Sequence, residues 1–486
     1  MNHQTRKKLL QRLSVITAPL ALTACITAVV TPEQEAKAGS AMSQQVAEQI
    51  GLYQDPVLTS YLEAVGQRLV AALGTTPYQF RFAIVDQFEP NAFASPGGYI
   101  YVSRGLLAQM NTEEELAGVL AHEISHVTQR HHVRQAGRSL GTGLLTLPGR
   151  AVGVVSEDLG NMINSPIELA GQVYLSSYSR GQESEADQYG MRLASKAGYE
   201  PLALADALAG IERSVYLLTG EERQASYLDS HPTTPERVAA IEQLATELPP
   251  APADARAIAN HDQLQTKLDG LWWGRQNPQQ GIFRQDVFLN ADMDFMVRFP
   301  VGWETVNTPR FVGAMEPEGN AYLALGANSG ELTPEGYAAA LITRMRDRSG
   351  LSPAASRNFK IQEWPAHLVR YDESSDEGMI SLFYVFLDSA EGSFTFMGMG
   401  FERFREPLRE AVMSMRPLTA TERNGIGGLR LRLAQIRPGE TLQTWTERVG
   451  SQWSADLAAA MNGIDTGQRG GGETLKYVRR ESYKPL

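Results

Sequence analysis

The stretch VLAHEISHVTQRHHVR, residues 119–134, holds four of the eight histidines of this 486-residue chain. In an α-helix, residues four apart lie on one face, so His122 and His126 can present two imidazoles to a single metal ion. Glu123 lies about 100° further round the helix, where its carboxylate can reach a water molecule beside that ion. The HExxH arrangement therefore predicts a metal centre, and a catalytic zinc site would need a third protein ligand from elsewhere.

One source of a third ligand is the end of the same helix. His132 has the spacing from His126 that the pattern HExxHxxGxxH requires, but Gln129 stands where that pattern has glycine. Without glycine we expect the helix to continue, because a left-handed turn at that position is costly for other residues. His131 and His132 are then predicted to lie on the surface at the helix end.

The other source is the segment RGQESEADQYG, residues 180–190, which is also typical of a helix. Glu183 and Asp187 share one face of it, whereas Glu185 points about 200° away from Glu183. A carboxylate ligand followed one turn later by a carboxylate that orients a ligating histidine is an arrangement that zinc sites use. An acidic, solvated helix face is the alternative interpretation of the segment by itself.

The composition limits the classes of protein to consider. With 43% hydrophobic and 20% charged residues, the chain is typical of globular proteins, and its length allows two to four domains. The formal net charge is −11, and no basic stripe is visible. Nucleic acid is therefore excluded as the main partner, because phosphate binding needs clustered Lys and Arg.

The N-terminus indicates export. An uncharged run at 13–30 follows four basic residues, Arg6, Lys7, Lys8 and Arg12. Within that run, LTAC at 22–25 resembles a bacterial lipobox, in which the cysteine becomes the lipidated first residue, and Cys25 is the only cysteine of the chain. We predict a signal peptide at 1–25 and a periplasmic lipoprotein anchored to the outer membrane. A retained helix, or cleavage after AKA at 36–38 to give a soluble periplasmic protein, are the alternatives.

Helical spacing at 41–71, strand-like segments at 80–85 and 98–102, and a capping box formed by Thr112 and Glu115 indicate an α+β fold. Pro and Ala make 248–264 a linker between a first domain at 40–247, which holds the predicted metal centre, and a second, smaller α+β domain of unknown role at 265–418. The Gly-rich stretch 137–173 suits plain packing or a mobile cover. The strand in GGYIYV, 97–102, is either interior or open to an extended peptide by strand addition.

The motifs HEISH and ESEAD, preceded by NAFASPGGYIYVSRGLL and followed by SHPTTPERVAAI, resemble the gluzincin metallopeptidase family over about 40–245. That family includes the CAAX prenyl proteases, the HtpX-type membrane proteases and soluble periplasmic relatives. The sequence lacks the multiple spans of the first two branches and is similar to the exported one. The resemblance implies one zinc ion per chain on His122, His126 and Glu183, with Glu123 as general base. It also implies that Asp187 supports the ligands and that His231 lies near the site.

His231 stands in DSHPTTPER, where prolines stiffen the loop. We expect it near the zinc without being an obligatory ligand, as a donor that stabilises the transition state. A fourth ligand that keeps the enzyme idle, or a histidine that only packs, are the alternatives.

The C-terminal segment 424–480 carries PGETL at 438–442 and Asn-Gly at 462–463, and resembles a LysM module with a β-α-α-β order. LysM modules in other proteins bind cell-wall glycan, so contact with peptidoglycan is expected. The segment DTGQRGGGETLKY departs from the pattern, which usually has a shorter turn there.

Together these features predict a zinc endopeptidase that hydrolyses misfolded or unassembled cell-envelope proteins and attaches to the membrane by a lipid. The alternative is a non-catalytic binding or chaperone-like envelope protein in which zinc only stabilises the fold. Glu123 favours catalysis, because a structural zinc site needs no base beside the metal.

Overall fold

The computed structural model describes residues 30–135, 178–220, 227–232, 235–249, 261–375 and 378–485. The predicted signal peptide with Cys25, the stretch 137–173 and most of the predicted linker lie outside these ranges. The chain divides into two units, one made of Met1–Arg275 and Arg430–Arg479, the other of Gln276–Leu429 and Arg480–Leu486. In the part of the chain that the structure describes, no helix has both the length and the apolar character needed to cross a membrane.

The first unit combines helices with a small sheet, in agreement with the α+β class predicted from the sequence. Its helices are α1 (Pro32–Gln49), α2 (Pro56–Leu73), α3 (Arg104–Gln109), α4 (Glu113–Thr128), α5 (Arg180–Lys196), α6 (Ala203–Thr219), α7 (Tyr227–Ser230), α8 (Pro235–Glu247) and α9 (His261–Leu268). Its strands are β1 (Arg81–Val85), β2 (Ala92–Ser95), β3 (Tyr99–Ser103) and, after α9, the short β4 (Trp272–Trp273).

The first three strands form a sheet in the order β1-β3-β2, with β1 parallel and β2 antiparallel to β3. The segment 97–102 therefore contributes the central strand, and the idea that it pairs with an extended peptide is wrong. A strand that is hydrogen-bonded on both sides offers no free row of backbone groups. The edge strand next to α4 is β2.

Helix α4 is the central helix of the unit, and each of its residues from Leu116 to Val127 is buried. It begins where Oγ1 of Thr112 accepts a hydrogen bond from the backbone N of Glu115, at 3.1 Å. The Glu115 carboxylate accepts from the backbone N of Asn111 at 2.7 Å, one residue earlier than the predicted capping box requires. The apolar character of α4 all round its surface agrees with this burial.

The chain leaves α4 without a glycine. The helix ends at Thr128, and Arg130 adopts a left-handed conformation with φ of 56°. The Arg130 guanidinium compensates for that strain by binding the carboxylate of Glu35 in α1, with an Nε to Oε1 distance of 2.8 Å. The turn directs His131 back towards α4, where it is fully buried. The surface position expected for His131 is therefore wrong.

The second unit consists mainly of antiparallel strands. They are β5 (Ile282–Arg284), β6 (Val287–Asn290), β7 (Phe295–Arg298), β8 (Glu304–Asn307), β9 (Val312–Met315), β10 (Ala321–Ala327), β11 (Ala355–Ile361), β12 (Trp364–Ser375), β13 (Gly378–Asp388) and β14 (Ser393–Phe401). Three helices accompany them, α10 (Pro334–Ser349), α11 (Arg405–Met413) and α12 (Ala420–Gly425). Strands β5 to β7 form one sheet, and the others form a seven-stranded sheet in the order β11-β12-β13-β14-β10-β9-β8.

The core of the second unit lies between its two sheets and α11, and includes Phe288, Phe295, Leu323, Phe396 and Leu408. The unit begins at Gln276, later than the residue 265 predicted for this domain. The reason is that α9 and β4 pack with the first unit.

Two hydrogen bonds fix β4 in the first unit. Nη1 of Arg104 donates to the carbonyl O of Trp272 at 2.9 Å, and the backbone N of Trp272 donates to the hydroxyl of Tyr53 at 3.1 Å. Trp272, the first tryptophan of the segment GLWWG at 270–274, is buried and thus anchors β4 in the first unit.

The C-terminal segment has the element order β15 (Gly427–Gln435), α13 (Leu442–Val449), α14 (Ala455–Met461) and β16 (Thr474–Ser482). Its strands extend β4 into a sheet of order β16-β15-β4. The order β-α-α-β is the one predicted, and the resemblance to a LysM module stays a prediction.

Residues 430–479 belong to the first unit, and a buried lysine shows why. The side chain of Lys476 is fully buried, and its Nζ donates to the carbonyl oxygens of Ala108 and Met110 at 3.0 and 2.9 Å. Burial lowers the pKa of Lys476 to about 7. Ala108 lies in the last turn of α3 and Met110 directly after that helix, so β16 completes the hydrogen bonding of the backbone just before the central helix.

Candidate active site

Four buried side chains converge between α4, α5 and the residue after α7. They are His122, His126, Glu183 and His231, and one ligand atom from each lies within 4.8 Å of the others. Nε2 of His122 is 2.9 Å from Nε2 of His126, and each of these nitrogens is 3.5 Å from an oxygen of Glu183. The structure thus brings together the three ligands that the sequence suggested, with His231 as a fourth donor.

The chemistry and spacing of these donors fit zinc. Imidazole nitrogens and carboxylate oxygens bind Zn²⁺ at about 2.0–2.2 Å, so the donors around a tetrahedral ion lie about 3.4 Å apart. The separations between the donor atoms bracket that value. Within the described ranges, no second group of metal-ligating side chains comes together in this way.

His231 is part of the cluster rather than a neighbour of it. Its Nδ1 is 3.2 Å from Nε2 of His122 and 3.0 Å from Oε2 of Glu183. Its ring stacks on Tyr227 with centroids 4.4 Å apart, and its backbone N donates to the Tyr227 carbonyl. Four donors complete a tetrahedral shell, whereas three leave a position for water. In this conformation, His231 lies among the donors, whereas the sequence led us to expect it near the zinc without being an obligatory ligand.

Glu123 is fully buried beside the cluster. Neither of its carboxylate oxygens has a hydrogen-bond partner of good geometry among the described residues, and Nε2 of His231 is 3.5 Å from Oε1. Burial raises the pKa of Glu123. The carboxylate therefore keeps its hydrogen-bonding capacity for a ligand, as a general base requires.

Glu183 reaches the cluster because α5 packs closely against α4. A Cβ atom on Gly190 would lie only 2.9 Å from the backbone N of His122, so this crossing requires glycine. Helix α5 begins in a capping box, in which Oγ of Ser179 accepts from the backbone N of Gln182 and the Gln182 side chain accepts from the backbone N of Ser179. This start places Glu183 in the first turn, where the helix dipole favours a carboxylate.

Asp187 supports the first histidine. Its Oδ1 is 2.9 Å from Nδ1 of His122, and Nε and Nη2 of Arg237 donate to its two oxygens at 2.8 Å each. Burial raises the pKa of Asp187, but its hydrogen bonds with His122 and Arg237 outweigh burial and lower the pKa overall. Sequence reasoning did not assign Arg237 to the site, although this basic residue follows His231 closely in the segment SHPTTPER.

The second histidine has a different partner. Nδ1 of His126 is 2.8 Å from Nδ1 of His131, and Nε2 of His131 is 3.2 Å from Oε2 of Glu185. Nη1 of Arg134 donates to the same Glu185 oxygen at 2.8 Å. Burial lowers the pKa of His131 to about 4, so its ring is neutral. Glu185 points away from Glu183, as expected from the helical period, yet it contacts the site through His131.

Tyr178 covers the cluster on the side of His126, and sequence reasoning did not identify it. Its ring stacks on that of His126 with centroids 3.8 Å apart and planes inclined by 20°. Its hydroxyl is 2.9 Å from Nε2 of His132, and the His132 ring also hydrogen-bonds the backbone of Ala94 in β2. His132 is half-buried and contacts the edge strand and Tyr178, so its predicted surface position is only partly correct.

Glu183 is the carboxylate among the four donors of the cluster. Burial raises its pKa, but His231 and His122 outweigh that effect and hold the pKa well below the usual range. A cavity of about 640 Å³ borders Glu183 and Asp187 and is lined by residues of α5 and α8. The cavity thus lies on the α5 and α8 side of Glu183.

Comparison with known proteins shows similarity over the segment that contains this site. Residues 56–245 match the model described as Peptidase family M48. The chain is 32% identical over 234 residues to the "Beta-barrel assembly-enhancing protease" of Yersinia pestis, which is 46% of this chain and 46% of that protein. It is 30% identical over 222 residues to the protein of the same name from Escherichia coli strain K12, with 45% of each chain covered.

A third relative comes from a eukaryote. The chain is 28% identical over 186 residues to the "Mitochondrial metalloendopeptidase OMA1" of Schizosaccharomyces pombe, which is 38% of this chain and 52% of that protein. The chain spans about half the length of the curated relatives that it matches. The four donors and Glu123 all lie inside the segment that matches peptidase family M48.

Proposed function

We propose that this protein is a zinc-dependent endopeptidase that hydrolyses misfolded or unassembled proteins of the cell envelope. The observation that carries the proposal is the buried set of His122, His126 and Glu183 with the Glu123 carboxylate beside it, which has no hydrogen-bond partner of good geometry in the part of the chain that the structure describes. The similarity to β-barrel assembly-enhancing proteases supports the substrate class.

A zinc ion bound by these donors would supply a Lewis acid that polarises a peptide carbonyl and acidifies a water molecule towards a pKa of ~7. Glu123 accepts the proton of the attacking water and passes it to the leaving amine, because its carboxylate faces the site and, among the described residues, has no hydrogen-bond partner of good geometry. Asp187 and Arg237 hold the ring of His122 in one orientation.

An extended substrate can pair with β2. This strand has β3 on one side and, in the described part of the chain, no strand on the other, and it contacts α4. Backbone pairing at a sheet edge needs little side-chain specificity, which suits an enzyme that cuts unfolded chains. The strand proposed to bind substrate is therefore β2, the neighbour of the strand at 97–102 that the sequence suggested.

We also propose that the protein is an exported lipoprotein attached to the outer membrane through Cys25. The lipobox-like LTAC segment supports this location. The AKA segment at 36–38 lies inside α1, next to Glu35, which binds Arg130. Cleavage after AKA would remove Glu35 from the mature chain and break its ion pair with Arg130, which favours cleavage before Cys25.

We also propose that the segment 424–480 contacts peptidoglycan, because it carries LysM-like motifs. A pull-down with purified peptidoglycan tests this proposal. Protein that stays unbound would contradict it.

The first prediction concerns the metal. Glu183→Ala should lose most of its zinc, because it removes the charged ligand from the cluster, whereas His132→Ala should keep one zinc per chain. Metal content after dialysis, measured by mass spectrometry, distinguishes the two. Zinc loss in His132→Ala with retention in Glu183→Ala would overturn the assignment.

The second prediction separates catalysis from binding. Glu123→Gln should keep its zinc and its melting temperature, yet hydrolyse casein at least ~10²-fold more slowly, because only proton transfer is removed. A rate within a few-fold of the wild type would leave the zinc-stabilised binding protein as the better interpretation.

The third prediction concerns His231. Since His231 lies among the donors, we expect it to fill the fourth position in this conformation, and His231→Ala should keep zinc and cleave unfolded substrate at least a few-fold faster. A variant slower by ~10²-fold would instead assign His231 to the transition state. An unchanged rate excludes both roles.

The fourth prediction concerns anchoring. Cys25→Ala should move the protein from the membrane fraction to the soluble periplasmic fraction, because a single lipidated cysteine is the proposed attachment. Cell fractionation with immunoblotting measures this. Membrane association that persists in the variant would favour a retained N-terminal helix.

A further inference from the structure

We propose that His131 and Glu185 form a positioning relay that orients His126 for zinc. The relay consists of three contacts: His126 Nδ1 to His131 Nδ1 at 2.8 Å, His131 Nε2 to Glu185 Oε2 at 3.2 Å, and Arg134 Nη1 to the same Glu185 oxygen at 2.8 Å. The inference rests on the proposed zinc site and assigns a role to two residues that donate nothing to the metal themselves.

The direction of each hydrogen bond follows from the identity of the ligand atom. Nε2 of His126 faces Nε2 of His122 and the Glu183 carboxylate, so it is the nitrogen that would bind the metal. A metal-bound nitrogen carries no proton, so Nδ1 of His126 must carry one and donate it. His131 then accepts at Nδ1, which leaves its own Nε2–H to donate to the carboxylate of Glu185. One tautomer of each ring satisfies the whole chain of contacts.

The backbone holds His131 firmly in that position. The left-handed turn at Arg130 and its ion pair with Glu35 direct the chain back to α4. Nε2 of Gln182, in the first turn of α5, donates to the carbonyl O of His131 at 3.1 Å. The His131 side chain is fully buried. A position determined from both α1 and α5 is what a residue needs in order to fix the orientation of another ring.

The two histidine ligands thus have unequal support. His122 contacts a carboxylate directly, and that carboxylate, Asp187, has a side chain only 6% exposed. His126 contacts its carboxylate through a second imidazole, and the Glu185 side chain is 31% exposed. His131 therefore spans the distance between a buried ligand and a carboxylate at the protein surface. A buried histidine that merely packs would not need its second nitrogen aligned on an acid.

The experiment measures zinc affinity by competition with a chromophoric chelator in the full-length protein. His131→Leu removes the acceptor at similar volume and should raise the zinc Kd by ~10–100-fold. His131→Asn keeps an acceptor, Oδ1, where Nδ1 stood but loses the link to Glu185, so it should raise the Kd clearly less than His131→Leu does. His367→Leu, a histidine of the second unit, is the control and should leave the Kd unchanged.

A double-mutant cycle tests the link to Glu185. Glu185→Ala should raise the zinc Kd in the wild-type background and add little in the His131→Leu background, because the relay is already broken there. Circular dichroism of the zinc-free proteins reports folding. If His131→Leu fails to fold, the same cycle is carried out with His131→Asn, in which the amide still accepts from His126 but Glu185 is no longer reached through an imidazole.

The outcomes separate this inference from the proposed function. Equal Kd values for the wild type and His131→Leu would overturn the relay and leave the zinc site intact. Equal weakening by His131→Asn and His131→Leu, or additive effects of Glu185→Ala, would also overturn it. A wild-type protein that binds no zinc would overturn the proposed function itself.

Discussion

The burial of charged and polar side chains between α4 and α5 is the constraint on which the rest of the structure depends. Transferring a carboxylate or an imidazolium from water into a protein interior is costly unless each is paired and hydrogen-bonded. The close crossing at Gly190 creates this burial, because it brings Glu183 against the two histidines of α4. Arg237 and Arg134 then supply positive charge to the carboxylates on either side. A bound cation would complete the compensation at the centre.

The same constraint explains why distant segments are needed. The left-handed residue after α4 is held by an ion pair with Glu35, which lies 95 residues earlier in the chain. The loop that carries His231 is fixed by Tyr227, whose backbone N donates to the carbonyl of Pro90. The positions of His131 and His231 thus each depend on a segment that has no metal-ligating residue of its own. A site with few exposed atoms requires many parts of the chain to be in place together.

Local periodicity predicted which side chains share a helix face but not their surroundings, and the ligand set itself was implied by the family resemblance. The i, i+4 spacing of His122 and His126, and of Glu183 and Asp187, is a property of any helix, so the facing of these side chains followed from the sequence. His131 was mispredicted because the turn at Arg130 depends on a partner far away in the chain. The position of 97–102 in the middle of its sheet depends on strand order, which a single strand does not encode. The place of 430–479 in the first unit likewise follows from tertiary contacts.

The buried contact of Lys476 has a consequence for the order in which the chain folds. Its Nζ binds the carbonyl of Ala108, 368 residues earlier, so this part of the core joins segments that lie far apart in the sequence. Contacts of such long range form late, because a large loop must close before they are made. The backbone just before α4 therefore stays incompletely bonded until the segment around Lys476 has docked. The central helix thus gains part of its support only after β16 is in place, so a chain that has not yet formed β16 lacks that support.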